Sequence, residues 1–293
     1  MGKFFRAPLT VLSTAVICSM LLLCNFTQML SLLLLPFSSR GFRAVNRFCA
    51  ATWFNSLTWV LENVVGVEFV CTGDELPNHE NAFVIANHQS GADIPALIAV
   101  ASRAGRTGDL KWFVKDVIKW LPGVGWGMLF LDCLFVKRNW SADKEKILAT
   151  FGRLRKHQVE FWILSFVEGT RLKPAKLLRS QEFERKAGLS VLHHVMSPRT
   201  KGFEATLEGL GSMVQAVYDF TIAYEGFPTG NVPGVKALFF GPMRRVHLHV
   251  KRTPAAELPS TREARVQWVL DAFEAKDKRL AEFYRSGKLL SPP

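Results

Sequence analysis

The hydrophobic pattern of this chain changes period twice between its first residue and Val67. Residues 7–39 contain no charge and include "LSTAVICSMLLLC" and "LSLLLLPF". That run exceeds the roughly 20 apolar residues that cross a bilayer. The next stretch, "FRAVNRFCAATWFNSLTWVLENVVG", spaces Phe48, Trp53, Leu57, Val60 and Val64 at helical intervals, with Arg43 and Arg47 near its start. This predicts an amphipathic helix that lies on a membrane surface or packs on the domain that follows.

From Val67 onward short β-branched and apolar runs alternate with helical ones. "VEFVC", "AFVIA", "CLFV", "FWILSF", "AVYDFTIAY" and "VHLHV" read as strands, and "DKEKILATFGRLRKH" and "SQEFERKAGLSVLHHV" as helices. Strands alternating with helices predict an α/β fold with a mostly parallel sheet flanked by helices, preceded by the N-terminal membrane segment. A long polar helix is expected over Thr261 to Arg285, burying Trp268, Phe273, Leu280 and Phe283. The chain then divides into a transmembrane or re-entrant membrane segment (1–40), an amphipathic interfacial helix (41–66), a catalytic-type α/β domain (67–260) and a C-terminal helix and tail (261–293).

Composition narrows the partners. A net charge of +12 and an apolar content of 48% describe a folded, basic chain suited to an anionic partner. Charge alone does not separate nucleic acid from phospholipid or phosphorylated substrates; the apolar N-terminus selects the membrane. A cleaved signal peptide fits poorly, because the apolar core is too long and lacks a small-residue cleavage site. Basic residues flank the run on both sides (Lys3, Arg6; Arg40, Arg43), which leaves a single tilted span and a hairpin with both ends at the cytosolic headgroups as alternatives. The five cysteines are scattered and read as free thiols.

The chemistry gathers at the ends of the expected strands, where open α/β sheets place their sites. His88 follows "AFVIA", with Asp93 five residues on. On one continuous helix such residues point about 140° apart, so a turn must bring them together. A carboxylate that fixes an imidazole lets the other ring nitrogen deprotonate a hydroxyl. The plainer reading is that Asp93 caps the helix that begins "DIPALIAV". Arg138 after "CLFV", and Glu168, Gly169, Thr170 and Arg171 after "FWILSFV", suit a phosphate: the guanidinium binds phosphate oxygens in a fork, and the glycine admits backbone N–H groups. The plainer reading there is a surface turn with an ordinary ion pair. The glycines of "LPGVGWGML" do not form a dinucleotide loop, and "HH" at 193–194 and "HLH" at 247–249 lack partners at metal-ligand spacing, so no metal is expected.

The order "NHQSGAD", "LFVKR", "FVEGTR", "HHVMSPRTKGF" and "VYDFTIAY" resembles the glycerolipid acyltransferases, including the 1-acylglycerol-3-phosphate acyltransferases. "SPRTKGF" and "YDFTIAY" look most like the lysophosphatidylinositol and lysocardiolipin branch. The resemblance covers about Val67 to Tyr224. It implies catalytic roles for His88 and Asp93, and substrate-phosphate contacts for Arg138, Glu168, Gly169, Thr170, Arg171 and Lys115. It further implies acyl-CoA as co-substrate with no cofactor, a lysophospholipid acceptor, a phospholipid membrane as partner rather than nucleic acid, and an endoplasmic-reticulum membrane with the catalytic domain on the cytosolic side. The expected reaction is attack by a glycerol hydroxyl, deprotonated by His88, on the acyl thioester, with backbone N–H groups near Ser90–Gly91 as an oxyanion site. Val167 stands where the family has proline. Two rival readings are a membrane-bound lipase or transacylase using Ser90, and a non-catalytic membrane-binding protein on the same scaffold.

Overall fold

In the computed structural model, residues 3–137 and 139–289 are described. Helix α1 (Lys3–Ser31) carries the uncharged run as far as Ser31, and a short 3₁₀ turn leads into α2 (Ser39–Trp59). Ser38 caps α2 by accepting the Gly41 N–H at 3.0 Å. The two helices pair, with the chain reversing between Leu32 and Ser38. Trp53 Nε1 donates to the Ile17 carbonyl at 3.0 Å, and Asn46 Nδ2 donates to Ser31 Oγ at 3.0 Å. By length and composition, Pro8–Leu34 is apolar enough to cross a membrane.

The remaining elements run β1 (Glu68–Gly73), β2 (Ala82–Ala86), α3 (Asp93–Arg103), β3 (Leu110–Lys115), α4 (Val124–Phe130), β4 (Leu134–Val136), α5 (Trp140–Lys156), β5 (Trp162–Ser165), α6 (Pro174–Ala187), α7 (Thr200–Leu210), β6 (Ala216–Tyr224), α8 (Lys236–Phe239), β7 (Arg245–Pro254) and α9 (Arg262–Ser286). The strands form one seven-stranded sheet in the order β1-β7-β6-β2-β5-β3-β4. Every pairing is parallel except β6 with β7. The mostly parallel sheet therefore carries a reversed edge, in which β7 and β1 run against the other strands.

Alternation along the central strands builds two cores. Val84, Ala86, Trp162, Leu164, Tyr218 and Phe220 face α2 and α3, where Phe54, Leu57 and Leu97 meet them. Phe83, Ile85, Ile163 and Val217 face α5, α7 and α9 through Phe151, Leu154, Phe203, Phe273 and Leu280. Strands covered on both sides read as continuous apolar runs, and β2 and β6 are buried along their full length.

Several expectations change. Strand β3 was not anticipated, because Lys111 breaks its apolar run; that lysine is nevertheless buried, and burial lowers its pKa. Helix α6 stops at Ala187 rather than continuing to Val195, because Gly188 closes it in the left-handed conformation with φ 67°, and the 193–195 segment is held by a carboxylate instead. Asp277 Oδ1 accepts the N–H groups of His193 (2.9 Å), His194 (2.5 Å) and Val195 (3.2 Å). On α2 Phe48 points outward, whereas Cys49, Ala50 and Phe54 are buried; α2 packs on the sheet. On α9 the buried face includes Lys276, Asp277 and Arg279 as well as the expected apolar residues, and Trp268 is only partly covered.

Candidate active site

Strand order explains how the site assembles. β2 lies between β5 and β6, so the residues that leave the end of β2 are flanked by residues leaving those two strands. From β2 come Asn87 and His88. From β5 comes Phe166, whose ring stacks on the His88 imidazole at 3.9 Å between centroids and 12° between planes. From β6 comes Tyr224, its last residue.

Asn87 fastens the strand end to its neighbour. Its amide donates to the Ile222 carbonyl at 2.9 Å and accepts the Ile222 N–H at 2.8 Å, extending the ladder by one side chain. The turn Gln89 to Ala92 then reverses the chain into α3, so Asp93 meets His88 despite the five-residue gap. His88 Nδ1 lies 2.7 Å from Asp93 Oδ2. The same oxygen accepts the N–H groups of Gln89 (2.8 Å) and Ser90 (3.0 Å). Its partner oxygen, Oδ1, accepts the Tyr224 hydroxyl. Asp93 is fully buried. The capping reading is corrected: Ala92 holds the N-cap position of α3 without a side-chain cap, and Asp93, the first helical residue, turns its carboxylate back onto the preceding turn and the imidazole.

An ionised carboxylate only accepts, so the imidazole donates from Nδ1, and Nε2 carries the lone pair. Nε2 makes no hydrogen bond among the described residues, and the His88 side chain is 12% exposed. A buried carboxylate with four donors is fixed in orientation. Such an arrangement can accept a proton at Nε2 and stabilise the imidazolium that results.

Glu168 faces inward. Oε1 accepts the His88 backbone N–H at 2.9 Å, while Oε2 meets no hydrogen-bond partner within standard geometry among the described residues. Burial pushes this carboxyl up to about 8. Gly169 follows with φ 73°, and a Cβ there would meet Arg199 Nε at 2.8 Å, so the turn demands glycine. The Leu172 N–H returns to the His88 carbonyl at 2.7 Å, which ties the "EGTR" turn to the histidine through backbone on both sides. Arg171 is exposed, and its Nη1 lies 3.9 Å from where a Cβ on Gly91 would sit, which brings its guanidinium to the mouth of the histidine turn. Thr170 Oγ1 accepts from Lys176 Nζ at 2.5 Å. Lys115 is exposed at the end of β3. Arg138 lies outside the described residues.

The expected oxyanion donors separate. The Ser90 N–H is committed to Asp93, whereas the Gly91 N–H has no partner among the described residues. Ser90 Oγ donates to the Pro233 carbonyl and accepts the Ala92 N–H at 3.2 Å, with no bond to His88. Three residues of the site escaped sequence reading: Tyr224, Phe166 and Tyr284, whose hydroxyl donates to Gln89 Oε1 at 3.2 Å from α9. Tyr224 had one available signal, its place as the polar end of a buried strand.

The fold is that of a solved acyltransferase. Superposition on the crystal structure of the 1-acyl-sn-glycerophosphate acyltransferase PlsC from Thermotoga maritima covers 97% of this chain and 98% of that one, with a TM-score of 0.58 and 19% identity. Residues 68–222 match the family described as Acyltransferase, and residues 237–292 match Acyltransferase C-terminus. The chain is 36% identical over 264 residues to 1-acyl-sn-glycerol-3-phosphate acyltransferase 2 of Brassica oleracea, covering 88% of this chain and 67% of that protein. It is 30% identical over 256 residues to 1-acyl-sn-glycerol-3-phosphate acyltransferase epsilon of Mus musculus, covering 85% and 70%. The chain thus spans about two thirds of the length of these curated relatives. It belongs to the acyltransferase family.

Proposed function

We propose that this protein transfers a fatty acyl group from acyl-CoA to the free glycerol hydroxyl of lysophosphatidic acid or a related anionic lysophospholipid, at a membrane. Relatives with that acceptor in their names support the substrate class. The observation that carries the chemistry is the His88–Asp93 pair with Nε2 unoccupied.

In this reading the acceptor's phosphate is held by Gly169, Thr170 and Arg171, with Arg138 and Lys115 as further phosphate ligands. His88 Nε2 takes the hydroxyl proton as the oxygen attacks the thioester carbonyl. Asp93 stabilises the imidazolium, and the Gly91 N–H donates to the oxyanion. The collapsing intermediate expels coenzyme A thiolate, which takes the proton back from His88. A positioned base typically adds about 10²–10⁴-fold, and holding both reactants together supplies further acceleration. Glu168 acts on the histidine's backbone rather than on the lipid.

The test is acyl transfer by full-length protein in membranes, with labelled acyl-CoA and a panel of lysophosphatidic acid, lysophosphatidylinositol and uncharged acceptors. His88→Ala is expected to lose at least about 10²-fold in kcat. A folded His88→Ala protein with unchanged transfer refutes the base. Equal use of uncharged acceptors refutes the phosphate assignment.

A further inference from the structure

Helix α1 is not an isolated span. Its polar side chains Asn25, Gln28 and Ser31 are buried, while Leu22, Leu23, Phe26, Met29 and Leu30 are exposed. Asn25 Nδ2 donates to Gln28 Oε1 at 3.1 Å within this buried face. The protein that covers this polar face is α2 on one side and the segment before β4 on the other. A Cβ on Gly123 would lie 2.7 Å from Leu21 Cδ2, and one on Gly127 would lie 3.4 Å from Asn25 Nδ2. The segment from Asp116 to Phe130 therefore lies directly against the second half of α1, and whatever solvent surrounds α1 there also surrounds this segment.

The outward side of that segment is apolar with a basic edge. Val117, Trp120, Leu121, Trp126 and Leu129 are all exposed, Trp120 by 74%. Lys119 Nζ sits 5.6 Å from the Trp120 ring centroid. Lys119, Lys137 and Lys146 surround Asp116 and hold its carboxyl below the usual range, the Lys119 hydrogen bond contributing most. Lys137 and Lys146 are exposed. A soluble surface seldom shows so many large apolar side chains together, whereas tryptophan beside lysine is the composition of a bilayer interface.

We propose that Asp116–Phe130 is a second lipid-contacting element, which seats the end of β3 on a bilayer of anionic headgroup composition. This rests on the reading that α1 lies in a membrane. Trp120, Leu121, Trp126 and Leu129 enter the acyl boundary, and the lysines meet the lipid phosphates. The element continues the exposed face of α1, so one surface runs from the membrane helix to Lys115 at the strand end.

The test uses full-length protein carrying 5-fluorotryptophan in nanodiscs, with resonances assigned by Trp120→Phe and Trp126→Phe. Nitroxide on the lipid chain is expected to broaden Trp120 and Trp126 several-fold more than a soluble gadolinium chelate does. Trp162, which is buried, is expected to respond to neither. The Trp120 effect should be larger in discs containing phosphatidylglycerol than in phosphatidylcholine alone. Lys119→Gln with Lys146→Gln should remove that difference. A chain that floats with vesicles but shows Trp120 and Trp126 to gadolinium overturns this proposal alone. Equal responses in the two lipids overturn its anionic preference. A chain that does not float overturns the membrane reading beneath it as well.

Discussion

Tyr224 donates its phenolic hydroxyl to Oδ1 of Asp93, the carboxylate whose other oxygen meets His88. The bond links residues 131 apart in sequence and joins the end of β6 to the start of α3. Burial and the adjacent carboxylate raise the tyrosine's pKa well above its ordinary value, so it stays protonated and donates. Tyr224→Phe removes one of four donors and leaves the rest. A hydrogen bond to a charged group contributes about 1.5–3 kcal/mol, so kcat is expected to fall roughly 10–100-fold. KM for both substrates should change little, since the tyrosine touches neither; steady-state kinetics on the two substrates check the split.

Glu168 offers a pH-dependent prediction. Its carboxyl is pushed up to about 8 from an ordinary 4.5, so the folded state prefers the protonated acid. The associated stability is fully present below 4.5 and is lost as pH rises through 8. Glu168→Gln keeps an acceptor for the His88 N–H and cannot ionise. Its Tm relative to the parent should therefore rise steadily between pH 5 and pH 8, measured by thermal unfolding in detergent. Glu168→Ala removes the acceptor and should lower activity far more than Glu168→Gln.

Lys276 is fully buried and donates to Asp219 Oδ1 at 2.5 Å and to the Phe220 carbonyl at 2.6 Å. Removing one member of a buried ion pair typically costs about 3–5 kcal/mol, because the other charge is stranded. Lys276→Met should destabilise by that amount in chemical unfolding. Lys276→Met combined with Asp219→Asn should recover part of the loss.

Ser90 separates the proposed reaction from the lipase reading. Its hydroxyl serves the Pro233 carbonyl and the Ala92 N–H, not His88. Ser90→Ala is expected to retain acyl transfer within about tenfold, consistent with the loss of one ordinary hydrogen bond. A drop as deep as that of His88→Ala, together with a serine-bound acyl group in mass spectrometry, would favour the serine instead.

Much of this architecture was legible in residue order. The six strands recognised from apolar runs all exist, and His88, Asp93, Glu168 and Arg171 meet at their ends, whereas Lys115 ends β3 with no contact to them among the described residues and Arg138 lies outside those residues. What escaped detection depends on tertiary contacts that no local pattern carries. Strand β3 was hidden by Lys111, a charge in a run that packing buries. The buried charges of α9 looked like a solvated face because their partners, Asp219, Phe220 and Thr221, lie far away on β6. The reversed edge strands were invisible for a related reason: strand direction depends on connections, not on composition.

The C-terminal helix has a consequence for how this protein is made. Tyr284 reaches Gln89 across 195 residues, and Asp277 holds the 193–195 segment from the same helix. Chains emerge from the ribosome N-terminus first, and domains close as units. The histidine turn is therefore synthesised long before its last braces exist. A growing chain presents the apolar helix α1 early and the braces of the histidine turn last, so the segment long and apolar enough to cross a membrane leaves the ribosome well before the candidate site is complete.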